Sequence, residues 1–218
     1  MKRRTAQFAG FVSITLLIVS ACPQLFGQRT VVKGIAEAEF FGSITKGSYA
    51  NAFFGFRFVI PDGFTVLDHK QIEIYSRAGA DLLKGGNEEA SKKIDKAMLT
   101  EASLLGVAQK APGQPQNAFL EIAVQKQTVG ITANIALAAS TTLITSTGKA
   151  RLVKSLGSKF GGRAFAGAQF EFDLPLKLTQ EMYVIILYGY SVHFVISYST
   201  TEGRDNMLLM MNSIQFIK

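Results

Sequence analysis

The chain has 218 residues, 48% of them hydrophobic and 18% charged, with 17 Phe, 20 Gly, 5 Pro, one Cys and no Trp. This length fits one domain with room for an appendage, and the apolar content is enough to bury a full core, which excludes global disorder. A single Cys excludes an internal disulfide framework and a Cys-based zinc site, and two His residues, His69 and His193, cannot build a three-His metal centre.

Met1-Lys2-Arg3-Arg4 is a basic start, and residues 8–21 (FAGFVSITLLIVSA) carry no charge. A membrane span needs about 20 apolar residues. This shorter stretch, with positive charge before it, predicts an export signal. Two cleavage sites fit. Val19-Ser20-Ala21-Cys22 resembles the bacterial lipobox, in which the signal peptidase cuts before a Cys whose thiol carries a diacylglycerol. Its departures are Val19 rather than Leu, and Pro23 directly after the Cys. Ordinary cleavage after Gly27 is the other site, and it would discard Cys22. A twin-arginine reading of Arg3-Arg4 is weakened by Ala6, where a Phe is usual. Loss of the leader leaves 20 basic residues against 16 acidic ones, a net charge of +4 against +7 for the whole chain. The mature part has no basic run of five or more, so no nucleic-acid partner is expected.

Residues 22–47 lack a clear period and are read as a tether, with a docking strand as an option. A flexible tether of about 25 residues reaches roughly 25–30 Å. The folded part is expected over residues 48–218. Asn51 to Ile60 alternates, with Phe54, Phe56, Phe58 and Ile60 on one face, and predicts a strand that ends at the Pro61-Asp62-Gly63 turn. Phe64 to Leu67 predicts a second strand, and Ile72 to Tyr75 a third.

Asp81 to Leu99 is helical in pattern, split at Gly85-Gly86. Asn87 is the expected N-cap of the second half, with Glu88 and Glu89 in the first turn and Glu88/Lys92 and Glu89/Lys93 as i,i+4 pairs. Ala90, Ile94 and Ala97/Met98 form its apolar stripe. Residues 102–108 and 118–126 predict strands around a polar loop carrying Pro112 and Pro115. Thr132 to Leu143 predicts a helix, with Ile131, Ile135 and Ala138/Ala139 on one side.

After Gly148 strands dominate. Leu152 to Leu156 and Arg163 to Phe172 flank a Gly161-Gly162 turn, and Ala164, Ala166 and Ala168 leave room for a helix to approach the sheet. Met182 to Leu187 and Ser191 to Ser199 flank Tyr188-Gly189-Tyr190 as a hairpin. In its second strand Val192, Phe194, Ile196 and Tyr198 face one way, and Ser191, His193, Ser197 and Ser199 the other. Thr201 to Asn212 closes as a helix with Thr201 as N-cap and Met207, Met210/Met211 and Ile214 buried. Gln215 to Lys218 ends as a short strand or packed tail.

Tyr-x-Asn-x-x-x-Gly-Phe-x-Phe-x-Ile-Pro-x-Gly-Phe stands at Tyr49 to Phe64, Gly-Gly-Arg-x-Phe at Gly161 to Phe165, a Tyr-containing hairpin at Tyr183 to Tyr198, and a closing Met211-Asn-Ser-Ile-Gln-Phe216. In this order they resemble the PsbP-like family over residues 48–218. The family includes the extrinsic photosystem II proteins of that name, the Ran-binding import factor Mog and many bacterial envelope proteins. The resemblance implies an α+β fold, an α/β/α sandwich with a central antiparallel sheet flanked by helices. It carries over no catalytic residues. Members act by binding and stabilising other proteins, and some bind metal ions. No photosystem or Ran contact motif is matched, so neither function transfers.

Catalytic signatures are few. Asp68-His69 are adjacent and, at the end of a strand, would point to opposite faces, and no Gly-x-Ser-x-Gly supplies a nucleophile. His193 is expected to be a half-exposed or hydrogen-bonded structural residue. Glu171 and Asp173 share one strand face but cannot alone supply the six or more oxygens of a Ca²⁺ site. The reading is an exported, non-catalytic envelope protein in the periplasm or on a membrane, lipid-anchored if Cys22 is modified, with no cofactor or metal and with a protein partner or small ligand. An envelope hydrolase using His193 or His69, and a structural subunit of an envelope assembly, are the alternatives.

Overall fold

The computed structural model describes residues 37–84, 88–111, 114, 116–173 and 177–217. The export segment, Cys22, Gly85-Gly86, Asn87 and the two loop prolines lie outside them.

Chain order begins with α1 (Glu37–Phe41), β1 (Ser43–Thr45), β2 (Ser48–Asn51) and β3 (Phe56–Val59). The predicted strand over Asn51 to Ile60 is therefore broken by a turn. Asn51 Oδ1 accepts from Phe54 N at 2.8 Å, and Gly55 N donates to Asn51 O at 2.9 Å, with Gly55 at φ +66°. Phe56 and Phe58 still point inward, as their alternation requires. Within the stretch read as a tether, α1 packs on the fold, with Phe40 buried in the main core.

Next come β4 (Thr65–Leu67), α2 (His69–Lys84), α3 (Glu88–Thr100), β5 (Glu101–Ala108) and β6 (Phe119–Lys126). The third strand expected at Ile72–Tyr75 is instead the second turn of α2. Asp68 Oδ1 accepts from Gln71 N at 2.7 Å, while Gln71 Oε1 accepts from Asp68 N at 2.9 Å. This reciprocal cap satisfies donors that a helix start leaves open. Ile72, Ser76, Gly79/Ala80 and Leu83 then form the buried stripe. On α3 the stripe is Ala90, Ile94 and Ala97, and both expected ion pairs form, Lys92–Glu88 at 2.7 Å and Lys93–Glu89 at 2.8 Å.

The remaining elements are α4 (Ala133–Ser146), β7 (Ala150–Phe160), β8 (Arg163–Phe172), β9 (Leu178–Leu187), β10 (Tyr190–Tyr198), α5 (Thr201–Asn212) and β11 (Gln215–Phe216). Thr132 caps α4. The helix buries Ala136, Leu137, Ser140, Leu143 and Ile144; of the residues expected on one side, Ile131 and Ala139 pack against this core, while Ile135 is exposed. Thr200, one residue before the expected cap, caps α5 by accepting from Gly203 N at 3.1 Å.

All pairings are antiparallel. One sheet has the order β4-β5-β6-β10-β9-β8-β7, and a smaller one has β1-β2-β3-β11. The fold class is thus α+β, with a central antiparallel sheet flanked by helices. The larger sheet is covered on both faces. Its first face meets the small sheet, α1 and α5 in a core rich in aromatics, including Phe54, Phe56, Phe165, Phe194 and Met207. Its second face meets α2, α3 and α4 around Leu83, Ile94, Ile144, Phe170 and Val195, with Ala166 and Ala168 at the approach of α4. Every residue of β10 is buried, as expected of a strand packed on two sides.

Candidate functional site

The hydrogen bonds of the Tyr49 and Asn51 side chains build one wall of a groove. Tyr49 Oη donates to Phe41 O at 2.8 Å, and Asn51 Nδ2 donates to Phe40 O at 2.8 Å. Together they fasten α1 against the β2–β3 turn. Phe41 then meets the His69 ring edge to face, with centroids 4.8 Å apart. The opposite wall is α2 with the end of α3. Between them lies a groove of about 810 Å³, with Ile72, Met98, Leu99 and Tyr190 among its apolar lining and Glu101 and Ser103 of β5 at its floor. That size suits a small organic ligand.

A β-bulge shapes the floor. Ser103 pairs with Ala123 and Leu105 with Ile122, so Leu104 is an extra residue on β5. Leu104 and Leu105 both enter the aromatic core, while Glu101 and Ser103 stay on the helix side. This brings Ser103 and the buried Glu121 together: Ser103 Oγ donates to Glu121 Oε1 at 2.6 Å, and Ser76 Oγ of α2 donates to the same oxygen at 3.3 Å. Beside them Gln125 Nε2 donates to Thr100 Oγ1 at 2.9 Å. Gly106 completes the fit, since a Cβ there would stand 2.8 Å from Ile72 Cγ1 and force α2 outward. Burial, and then the neighbouring Glu121, push the Glu101 carboxyl well above the usual carboxylate range.

Charged side chains at the rim are largely paired. Lys84 meets Asp81 at 2.9 Å and Asp95 at 2.7 Å, and its hydrogen bonds to them raise its pKa; Arg77 meets Glu73 at 2.9 Å.

The residues singled out from sequence scatter. His69 lies at the groove wall, and Asp68 is spent on the cap of α2. His193 is not half-exposed: it is fully buried in the middle of β10, opposite Ala123 and Val184, and neither ring nitrogen has a hydrogen-bond partner. Burial lowers its pKa to about 3. The hydrolase alternative built on it has no route to a substrate. Glu171 is tied to Arg151 on the exposed edge hairpin, away from the groove. Among the described residues no group of three or more His, Cys, Asp or Glu is placed to hold a metal ion. Glu101 and Glu121 were not picked out from sequence, because their proximity depends on the β5–β6 register and its bulge.

A pH prediction follows from His193. Its folded pKa near 3 lies below the unfolded value of about 6.5, so the unfolded chain binds the extra proton and stability falls as pH drops below 6.5. The loss through this residue should be about 2 kcal/mol at pH 5. Denaturant melts at pH 7.5 and pH 5 should show the wild type losing that much more than His193→Leu. Equal losses in both would contradict a neutral, buried imidazole.

On the other face of the sheet a second polar cluster is closed. Glu181, fully buried, receives Arg204 Nε at 2.6 Å, Tyr183 Oη at 2.6 Å and Tyr198 Oη at 3.1 Å, while Gln169 Nε2 donates to Tyr198 Oη at 3.0 Å. Burial, with Glu181 adding to it, raises the pKa of both tyrosines, so they remain donors. With its acceptor oxygens filled, this cluster ties α5 to the sheet and leaves no room for ligand chemistry.

No protein-family model matches the chain, and no curated protein matches it by sequence. Solved structures do resemble it. They include LpqN of Mycobacterium tuberculosis, a protein involved in cell envelope biogenesis (11% identity, 75% of this chain and 83% of that one, TM-score 0.46). Cyanobacterial PsbP from Synechocystis is similar at 11% identity over 80% of this chain and 96% of that one, with a TM-score of 0.47. The Saccharomyces cerevisiae Ran-binding protein Mog1p is similar at 10% identity, 75% and 91% coverage, and a TM-score of 0.42. At these identities and TM-scores the likeness transfers no residue, ligand or partner to this chain.

Proposed function

We propose that the chain is an exported, non-catalytic binding protein of the cell envelope, held at a membrane through a lipid on Cys22, and that it takes a small ligand in the groove between α2 and β5. The observation that carries the binding reading is the groove itself: about 810 Å³, with an apolar wall and a polar floor. Support for export comes from the basic start and the uncharged stretch over residues 8–21. Among the described residues no helix is long and apolar enough to cross a membrane, so on this reading the anchor is the lipid.

Mass spectrometry of the mature N-terminus tests the export half. The expected result is a chain beginning at Cys22 and carrying acyl mass, with Cys22→Ser moving from the membrane to the soluble fraction. A chain beginning at Gln28 would keep export and remove the anchor. Leader-bearing protein recovered whole from the cytosol, or Cys22→Ser partitioning as the wild type does, would contradict the proposal.

A further inference from the structure

Among the described residues, the Glu101 carboxyl at the groove floor has no hydrogen-bond donor on its buried Oε1. It starts β5, with its backbone opposite Gln125, and lines the groove. Its Oε1 is buried and has no hydrogen-bond partner. Glu121 beside it is held by Ser103 and Ser76, and Gln125 is turned to Thr100. Buried acceptors are nearly always partnered, so an unpartnered one in a groove wall marks where a donor arrives from outside. The other charged groups around the groove are Glu73, Arg77, Asp81 and Lys84 of α2, Asp95 of α3 and Lys126 of β6. Arg77 and Lys84 already have carboxylate partners.

Resting on the reading of the groove as the binding site, the geometry points to a ligand with an apolar body and a primary ammonium head, the head hydrogen-bonded to the Glu101 carboxylate and the body against Phe41, Ile72, Met98 and Tyr190. A divalent cation fits less well, because no third His, Cys, Asp or Glu converges with the two carboxyls among the described residues. Burial and Glu121 hold the Glu101 carboxyl protonated beyond the normal range. At a pH below the raised Glu101 pKa, entry of the ammonium expels the carboxyl proton to solvent, leaving an ammonium–carboxylate pair and one released proton. The same shift means that stability is lost as pH rises through the Glu101 pKa, so Glu101→Gln should fold and melt at or above the wild-type temperature at pH 8.

The test is calorimetric titration of the mature protein with hexylamine, hexanol and hexanoate, each in two buffers of different ionisation enthalpy. Hexylamine should bind with net proton release, and hexanol at least about tenfold more weakly, the usual scale for loss of a charge-assisted hydrogen bond. Glu101→Gln should lose hexylamine binding by a similar factor, together with the proton release, while its hexanol affinity stays. Equal affinity for hexylamine and hexanol, tighter hexanoate, or hexylamine binding unchanged in Glu101→Gln would overturn the ammonium assignment and leave the groove as a site. Absence of binding by all three probes would overturn both.

Discussion

Phe194→Ala is expected to lower stability by about 3–5 kcal/mol, the range for truncating a buried aromatic. Phe194 is fully buried in β10, the strand packed on both faces, and its ring lies 5.6 Å from Phe56 of the small sheet and 5.7 Å from Phe165 of β8. Through it strands β3, β8 and β10, from two sheets, meet in one core. Because the hole would open between layers that are each tied down by antiparallel pairing, little collapse can relieve it. For a domain of this size the loss corresponds to roughly 8–15 °C in melting temperature. Calorimetry or a denaturant melt checks it, and a loss below about 1 kcal/mol would show that the two sheets do not share a close-packed core.

The second large effect is Arg204→Met. Glu181 is fully buried, and Arg204 supplies its countercharge at 2.6 Å while reaching solvent with part of its own side chain. Removing the cation leaves a buried carboxylate with only two tyrosine hydroxyls, and breaking such a pair from one side costs about 3–5 kcal/mol. Glu181→Gln added to Arg204→Met should restore much of the loss, because the amide oxygen still accepts from Tyr183 or Tyr198 and no charge is left behind. Recovery in the double variant is the diagnostic feature. If Arg204→Met alone melts with the wild type, the pair is solvated and α5 is not held by it.

How far the sequence could be read depends on what kind of signal each element carries. β10 was legible because Val192, Phe194, Ile196 and Tyr198 alternate without interruption; the hairpin was legible from Gly189, but its turn is Tyr188-Gly189, both at positive φ, one residue shorter than read, with Tyr190 paired to Leu187. The start of α2 was not, because Ile72-Glu73-Ile74-Tyr75 in its second turn alternates like a strand. The contrary signal was Asp68-x-x-Gln71, a capping pair just ahead of it. In α4 the exposed Ile135 was more conspicuous than the small residues Ala136 and Ser140, which are the ones that pack. Phe40 gave no hint of burial, since α1 is held by Asn51 and Tyr49 and not by any period of its own.

The groove was the least legible part. His69 was noticed for its adjacency to Asp68, yet the useful relation is its packing on Phe41. Glu101 lies two residues before Ser103 on β5, but Glu121 comes beside them only through the β5–β6 pairing. No local pattern encodes that register. His193 shows the reverse: a residue with a chemically suggestive side chain, sealed inside the sheet with nothing to react with.

The central claim is that ligand chemistry resides in the groove between α2 and β5. A hexylamine titration of ¹⁵N-labelled mature protein followed by two-dimensional NMR tests it most directly. The account predicts saturable shifts concentrated in His69–Ser76, Met98–Ser103 and Tyr190, with the Glu101 amide among the largest. Shifts centred instead on the exposed β7 edge or on the small sheet around Val59 and Ile217, or no shifts with hexylamine, hexanol or hexanoate at saturation, would contradict it.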